Sequence, residues 1–281
     1  MKNILAIHDL SCFGRCALTV VIPTLSAMSH QVTPLPTALL STHTGGFENM
    51  EFLDLSHTIK PNFDHMIKSG AHFDAVYSGF LGSADQIDTV SYIIKSSGDA
   101  LICVDPVMGD AGKLYQTYTE EMKERMSELC ALATVITPNL TEAFFLLGDT
   151  YTDTSRMSEY EARGVAASLC TRLFEKYRCK YIAVTGIECM EKDTLLVCTA
   201  VLCGGKFTFL TNEHVGTGYP GTGDVFASVL LGEMLHGKAF DECASLAAEF
   251  IRELVLDTYK AGTPIRNGVL LEQKLYKLAV K

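Results

Sequence analysis

Basic side chains are scarce in this sequence, which holds 23 lysines and arginines against 33 aspartates and glutamates. The formal net charge is -10 at pH 7. Proteins that bind nucleic acid usually carry a basic face that neutralises phosphates. The composition therefore argues against a nucleic-acid partner, while a small anionic substrate in a shielded site is compatible with it.

Long apolar runs are also missing, because nowhere do eighteen apolar residues follow one another. The N-terminal stretch MKNILAI meets His8 and Asp9 too soon to form the apolar region of a signal peptide. The sequence thus predicts a cytoplasmic protein with no membrane partner.

CxxC pairs are absent among the ten cysteines, which are spread along the chain. We expect most of them to be buried, reduced thiols. Cys12 and Cys16 are predicted to be neighbours on a helical face, but no nearby residue completes a zinc site. The pattern therefore favours neither a disulfide scaffold nor a structural metal.

The chain alternates short apolar runs with longer amphipathic segments, and its 281 residues are 48% hydrophobic. The apolar runs predict strands at residues 4–7, 32–35, 75–78, 101–104, 135–137 and 181–184. Residues 86–95 and 161–177 carry apolar side chains at helical spacing. This alternation predicts one α/β domain over residues 1–281, a three-layer α/β/α sandwich with a mostly parallel sheet.

The order changes in the last third of the chain. Residues 194–202 and 206–210 flank Gly204 and Gly205, a pattern that predicts a β-hairpin on an antiparallel edge of the sheet. Helices are expected over residues 224–235 and 240–259, with a short terminal one over 269–278.

The stretch GTGYPGTGD, residues 216–224, matches the dinucleotide-binding pattern GxGxxG. Such a fingerprint needs a following helix and then a strand that presents an acid to the ribose. Asp241 has the right spacing, but it follows one predicted helix and begins another. A nicotinamide-dependent oxidoreductase is therefore a weak hypothesis. The last four residues of the stretch, 221–224, support a stronger one.

Gly221, Thr222, Gly223 and Asp224 open a predicted helix. Glycines allow backbone amides to approach a ligand, and the positive end of a helix favours an anion. A glycine turn capped by Thr222 or Asp224 is the simpler alternative. An acid beside an anion site is suited to act as general base for a hydroxyl that attacks phosphorus.

Two further motifs follow predicted strands, where parallel sheets bind ligands. Asp105 begins DPVMGD, and Asn139 and Glu142 lie in TPNLTE. Asn139 and Glu142 also have the spacing of a helix capping box, which alone would explain them. Asp105 and Glu142 together would suit Mg²⁺ bound to ATP phosphates opposite the glycine turn.

These motifs resemble those of the ribokinase superfamily, and in particular its pyridoxal kinase branch. The resemblance spans the chain through MKNILAI, STHTGG, YSGFLGS, DPVMGD, TPNLTE, VTG and PGTGD, in that order. It implies a homodimeric kinase that transfers the γ-phosphoryl group of ATP to the hydroxymethyl group of pyridoxal, pyridoxine or pyridoxamine. Mg²⁺ and a monovalent cation, K⁺ or Na⁺, would assist.

The resemblance also implies residue roles. Asp224 would be the base, with the Gly221, Thr222 and Gly223 amides stabilising the transferred phosphoryl group. Asp105 and Glu142 would serve the metal and phosphates, and the vitamer would meet Asp9, His43, Thr44 and Phe80. Further contacts to ATP would come from Asn139, Thr185, Tyr219 and Thr222.

Two positions depart from the usual pyridoxal kinase pattern: Asp9 replaces a serine, and Phe80 replaces the tyrosine of SGY. A carboxylate at Asp9 suits a protonated ring nitrogen or an aminomethyl group, which predicts a tilt toward pyridoxamine. Hydroxymethylpyrimidine kinases share the fold but carry a glycine-rich stretch where this chain has HDLSCFGRC. A binding protein that has lost catalysis is the alternative from a different class.

Overall fold

The structure is a computed structural model and describes residues 1–279. Its strands are β1 (Asn3–Phe13), β2 (Gln31–Thr42), β3 (Phe52–Asp54), β4 (Ala75–Ser78), β5 (Leu101–Val104), β6 (Gly109–Asp110), β7 (Lys113–Leu114), β8 (Val135–Ile136), β9 (Tyr181–Glu191), β10 (Thr194–Cys203) and β11 (Lys206–Glu213). Its helices are α1 (Leu18–Ala27), α2 (Ser56–Lys68), α3 (Ala84–Ser96), α4 (Glu120–Cys130), α5 (Leu140–Leu147), α6 (Glu159–Tyr177), α7 (Thr222–Leu235) and α8 (Phe240–Lys260).

Nine strands form one sheet in the order β11-β10-β9-β8-β5-β4-β1-β2-β3. The strands from β2 to β9 in this order are parallel, whereas β10 and β11 at one edge and β3 at the other are antiparallel. The central strands are buried on both faces because each is apolar along its length, as in β5 with the sequence LICV.

Helices cover both faces of this sheet. One apolar cluster joins the sheet to α2, α3, α4, α5 and α6, and a second joins its other face to α1, α7 and α8. The three-layer α/β/α prediction is therefore confirmed, including the hairpin of β10 and β11. Within residues 1–279, no helix combines the length and the apolarity needed to cross a membrane.

Two local predictions were wrong. Cys12 lies on β1 and Cys16 in the loop before α1, so they share no helical face. The expected terminal helix is replaced by 3-10 turns at Leu271–Gln273 and Leu275–Leu278. Val269 and Leu271 are both buried, a two-residue spacing that one face of an α-helix does not provide.

Candidate active site

A cavity of about 1020 Å³ opens at the edge of the sheet where the parallel strands end. Parallel sheets bind ligands at this edge. The structure brings every sequence-predicted site residue to its lining: Asp9, His43, Thr44, Phe80, Asp105, Asn139, Glu142, Thr185, Tyr219, Gly221, Thr222, Gly223 and Asp224. The role of each residue stays a prediction, but their convergence on one cavity is observed.

The start of α7 is shaped by its glycines. Gly221 has a φ of 79°, and a Cβ there would lie 2.2 Å from the carbonyl oxygen of Arg15. A Cβ on Gly223, in contrast, would meet no described atom within 4 Å. The Thr222 hydroxyl donates to the Tyr219 carbonyl at 2.9 Å, and no described side chain caps the helix. The uncapped first turn is therefore suited to an anion.

Asp224 lies in this first turn, buried, and turns away from its own helix. Its Oδ2 accepts the Ala17 N–H at 2.9 Å and lies 3.5 Å from the Cys16 thiol. Ala17 reaches it with a φ of 50°, a conformation that a residue with a Cβ adopts only at a cost. Burial raises the pKa of Asp224, while these two donors lower it. An aspartate whose pKa is raised above its usual range is suited to general-base work.

Asp9 lies where the pairing of β1 with β2 shifts register between His8 and Leu10. Such a bulge re-aims a side chain. The Asp9 carboxylate accepts the Ser11 hydroxyl at 2.7 Å. Burial raises the pKa of Asp9 to about 7, the Ser11 hydrogen bond lowers it, and the charge of Asp224 adds to the rise. Asp9 is therefore poised between its neutral and charged forms near neutral pH.

Glu142 forms the capping box that its spacing with Asn139 allowed. Its Oε2 accepts the Asn139 N–H at 2.8 Å, and Asn139 Oδ1 accepts the Glu142 N–H at 2.9 Å. Glu142 Oε1 also accepts the Met108 N–H at 3.0 Å, which ties the DPVMGD segment to α5. The structural role of this pair is therefore present, and the remaining lone pairs of Glu142 are what a ligand would use.

Asp105 follows β5 and is buried near Glu142 and Asp224. Burial raises its pKa, and the charge of Asp224 raises it further. Burial and the charge of Asp105 likewise raise the pKa of Glu142, although two backbone N–H donors oppose the shift. Buried carboxylates that repel each other suit a divalent cation with oxygen ligands. Among the described residues, no group of three or more acids, histidines and cysteines forms a metal cluster.

Three of the residues predicted to contact the nucleotide are Asn139, Thr185 and Tyr219. They differ in how many contacts their side chains already make within the protein. Asn139 Nδ2 donates to the Gly109 carbonyl at 2.8 Å, so both ends of its amide are in internal contacts. Thr185 lies beside it through an isolated parallel bridge. The Tyr219 side chain is buried in the apolar cluster beneath α7 and α8. Thr185 is therefore the least constrained of the three.

The predicted substrate residues His43, Thr44 and Phe80 also line the cavity. His43 Nε2 donates to the Arg266 carbonyl at 2.7 Å, and its Nδ1 accepts the Gly45 N–H at 3.1 Å. His43 thus satisfies loop backbone, the simpler of the two interpretations of this residue. Thr44 continues the loop after β2, and Phe80 follows β4 with its side chain buried.

Acids dominate the electrostatics of the cavity. The two arginines among its lining residues face seven acids: Asp9, Asp105, Asp110, Glu142, Glu188, Glu213 and Asp224. No lysine occurs in the described part of this lining. These acids would repel a polyphosphate, so bound metal cations rather than side chains would have to neutralise its charge.

Sequence reasoning missed the residues that hold these acids. Ser11, Cys16 and Ala17 contact Asp9 or Asp224, but no local sequence pattern marks them as site residues. The glycine at Gly14, before the loop that carries Cys16 and Ala17, is the only local signal of a tight turn. Nothing in the sequence shows that this loop meets a helix start more than 200 residues later, a separation of 207 for Ala17 and Asp224.

The chain is similar to known kinases over most of its length. A family model described as phosphomethylpyrimidine kinase matches residues 22–268. A candidate phosphomethylpyrimidine kinase from Bacteroides thetaiotaomicron, in a crystal form with pyridoxal, is 38% identical with a TM-score of 0.88. That alignment covers 99% of this chain and 95% of the other.

Two more relatives bear different names. The pyridoxal kinase from Lactobacillus plantarum is 29% identical with a TM-score of 0.86, over 99% of this chain and 96% of that one. The hydroxymethylpyrimidine/phosphomethylpyrimidine kinase of Bacillus subtilis is 26% identical, over 93% of this chain and 85% of its own length. The resemblance stated from the motifs is confirmed, and the relatives include both kinds of kinase.

Proposed function

Because the chain belongs to the phosphomethylpyrimidine kinase family, we propose that it transfers the γ-phosphoryl group of ATP to the hydroxymethyl group of a vitamin B6 vitamer. Pyridoxal, pyridoxine and pyridoxamine are the proposed acceptors. The observation that carries the proposal is Asp224, a buried acid beside an uncapped helix start, facing a cavity that also holds Asp9 and Asp105. The pyridoxal form of the Bacteroides thetaiotaomicron relative supports the choice of vitamer.

In this proposal Asp224 takes the proton of the acceptor hydroxyl as its oxygen attacks the γ-phosphorus. The Gly221, Thr222 and Gly223 amides lie at the start of α7 and stabilise the charge on the transferred phosphoryl group. Asn139 and Thr185 contact the ATP phosphates, and the segment around Tyr219 borders the nucleotide. A positioned base contributes about 10²- to 10⁴-fold to the rate.

The donor set fits Mg²⁺, since Asp105 and Glu142 supply buried carboxylate oxygens in an acidic cavity. Asp105 is the more available of the two, because each Glu142 oxygen already accepts a backbone N–H. Mg²⁺ would neutralise the charge of the ATP phosphates at this point. A monovalent cation, K⁺ or Na⁺, belongs to the same proposal.

At the acceptor end, Asp9, His43, Thr44 and Phe80 are the proposed contacts to the vitamer ring. Asp9 is the residue from which a preference for pyridoxamine follows, because a cationic group beside it would favour its charged form. The test compares kcat/KM for pyridoxamine and pyridoxal in the wild type and in Asp9→Ser. An unchanged ratio would remove Asp9 from substrate selection.

Hydroxymethylpyrimidine is the second candidate acceptor, favoured by the family description and by the Bacillus subtilis relative. One experiment separates the two: ATP consumption with pyridoxal, pyridoxine, pyridoxamine and hydroxymethylpyrimidine as acceptors under identical conditions. Turnover of hydroxymethylpyrimidine alone would overturn the vitamer assignment. Turnover of none would favour a binding protein that has lost catalysis.

We also propose that residues 1–281 act as one kinase domain and that the protein is a homodimer. Three neighbouring strands at one side of the sheet, β1, β2 and β3, expose Phe13, Leu39 and Leu53, which are 55%, 38% and 56% accessible. Exposed apolar side chains that cluster along an edge are typical of an interface. Light scattering on the wild type and on Phe13→Asp/Leu53→Asp gives the test, and a monomeric wild type contradicts the proposal.

A further inference from the structure

His8 is a buried histidine that has no role in the proposed mechanism described above. It lies on β1 directly before Asp9 and is fully buried. Neither of its ring nitrogens has a hydrogen-bond partner among the described residues. A buried polar group left without partners destabilises a protein, so its presence calls for a physical reason.

The ring of His8 lies next to Oδ1 of Asp224, the carboxylate oxygen that neither Ala17 nor Cys16 contacts. Nδ1 of His8 is 3.8 Å from Oδ1 of Asp224. The contacts of Asp224 with Ala17 and Cys16 are both made by Oδ2. The 3.8 Å separation exceeds a hydrogen bond, but such contacts in catalytic sites are often long without substrate and shorten when it binds.

Neighbouring residues fix the ring in this place. The Tyr77 ring meets it edge to face, with centroids 4.3 Å apart. A Cβ at Gly79 would lie 2.2 Å from both Nδ1 and Cε1 of His8, so the ring occupies space that only a glycine leaves open. The imidazole therefore cannot move away from Asp224 toward β4 without displacing backbone or a buried aromatic ring.

Two other buried histidines show what a structural histidine does in this protein. His30 and His43 each lie within 3.1 Å of a backbone carbonyl through Nε2. His8 makes no such contact within residues 1–279. Burial lowers the pKa of His8 to about 3, so the ring is neutral at physiological pH and carries a single N–H.

We propose that His8 is a positioning residue for Asp224, whose Oδ1 receives the His8 Nδ1–H when substrates fill the site. With Oδ2 held by the Ala17 amide and the Cys16 thiol, this donor to the other carboxylate oxygen fixes the plane of the carboxylate toward the acceptor hydroxyl. His8 stays neutral throughout, and the proton of the hydroxyl passes to Asp224. The inference rests on the proposed function, because it assigns Asp224 the task of a base.

Two substitutions separate positioning from packing. His8→Leu removes the donor and keeps an apolar side chain of similar bulk, while His8→Asn keeps an amide N–H near the position of Nδ1. We expect His8→Leu to lower kcat about tenfold or more, part of the 10² to 10⁴ that a positioned base supplies, with KM for ATP and vitamer within a factor of about two. His8→Asn should recover most of the loss.

Thermal stability separates a positioning role from a structural role, because the loss of a structural residue would lower Tm. Replacing an unpaired buried polar group with an apolar one is expected to leave Tm unchanged or higher. A fall in Tm of His8→Leu that accompanies the loss of kcat would overturn the positioning role. A wild-type kcat in His8→Leu, or no recovery in His8→Asn, would overturn it as well.

Nitrogen-15 NMR of the His8 ring tests the same contact without activity. We expect the Nδ1–H tautomer in the wild type with pyridoxal, and a changed Nδ1 signal in Asp224→Asn. The Nε2–H tautomer would overturn the inference, even in an active kinase. If the wild type phosphorylates none of the four acceptors while Nδ1–H is observed, the proposed function fails and the contact stands.

Discussion

The helices α5 and α7 both begin at the cavity with an acid in their first turn, yet they use it in opposite ways. Glu142 of α5 folds back on its own helix and completes a capping box. Asp224 of α7 reaches instead to Ala17, and its helix begins at a glycine with no side-chain cap in the described structure. A capped start satisfies its own amides, whereas an uncapped one keeps them for a ligand.

The largest expected effect comes from Asp224→Asn, which removes the base but keeps the shape of the side chain. We expect kcat to fall by about 10²- to 10⁴-fold while ATP binding is retained, because a positioned base supplies that much. Steady-state kinetics with pyridoxal, together with calorimetric titration of ATP, measures both quantities. Turnover near the wild-type value would assign the base to another residue and remove the contrast between the helices.

The glycines of α7 offer a matched pair, Gly221→Ala and Gly223→Ala. Gly221→Ala combines a left-handed φ with a backbone clash against Arg15, so we expect a loss of unfolding free energy of several kcal/mol, about 1–3 from the strained backbone alone. Gly223→Ala enters open space and should leave stability nearly unchanged. Urea unfolding of both variants compares them, and equal losses would contradict this description of the helix start.

The Gly223→Ala variant also probes the anion site directly. A methyl group there projects toward the cavity, so KM for ATP should rise while Tm stays near the wild-type value. An unchanged KM would mean that the phosphates do not approach this amide.

Glu142 tests the capped helix in the same manner. Glutamine can complete the capping box, but its single carbonyl oxygen cannot accept both the Asn139 N–H and the Met108 N–H. Glu142→Gln should therefore lose part of the stability, and Glu142→Ala, which loses both contacts, should lose about 1–3 kcal/mol. If Glu142 also serves Mg²⁺, both variants should need more of it for half-maximal activity. If the Mg²⁺ concentration for half-maximal activity changes in neither variant, Glu142 has only its role as a helix cap.

Asp9 provides a test that depends on pH. Its pKa is raised from 3.8 to about 7 in the folded protein, so the stability it contributes is present below pH 4 and is lost as pH rises through about 7. Asp9→Asn removes this dependence, on the order of 1.4 kcal/mol for each pKa unit. We expect Asp9→Asn to be the more stable protein at pH 8, with the difference shrinking toward pH 4; a constant difference in Tm would contradict it.

Regular apolar patterns were enough to predict eight of the nine strands of the sheet, including the hairpin of β10 and β11, and the positions of the strand-end acids, but not the short edge strand β3. Strands such as β4 and β5 are local features, since each is a short apolar run that the core buries. The terminal segment was mispredicted because burial of Val269 and Leu271 against other helices overrode a weak helical pattern. The prediction that Cys12 and Cys16 are neighbours on a helical face was wrong because β1 extends beyond its apolar run and includes Cys12.

The chemistry of the candidate site was predictable only in part. Motif residues such as Asp105 and Asp224 follow local signals, a strand end or a glycine turn. Their environment does not: the Ala17 amide, the bulge at Asp9 and the unpaired ring of His8 arise from contacts between distant segments. Such contacts set the pKa values and orientations of the acids, and no single stretch of sequence contains them.

The segment after α8 ties down two loops at the cavity, one that carries Arg15, Cys16 and Ala17 and one that begins at His43. The Arg15 N–H donates to the Asn267 carbonyl, and His43 Nε2 donates to the carbonyl of Arg266. Residues 266 and 267 leave the ribosome after all nine strands of the sheet have been made. During synthesis, therefore, the sheet can form first, while these two loops wait for residues 266 and 267, so the nascent chain completes this side of its cavity last.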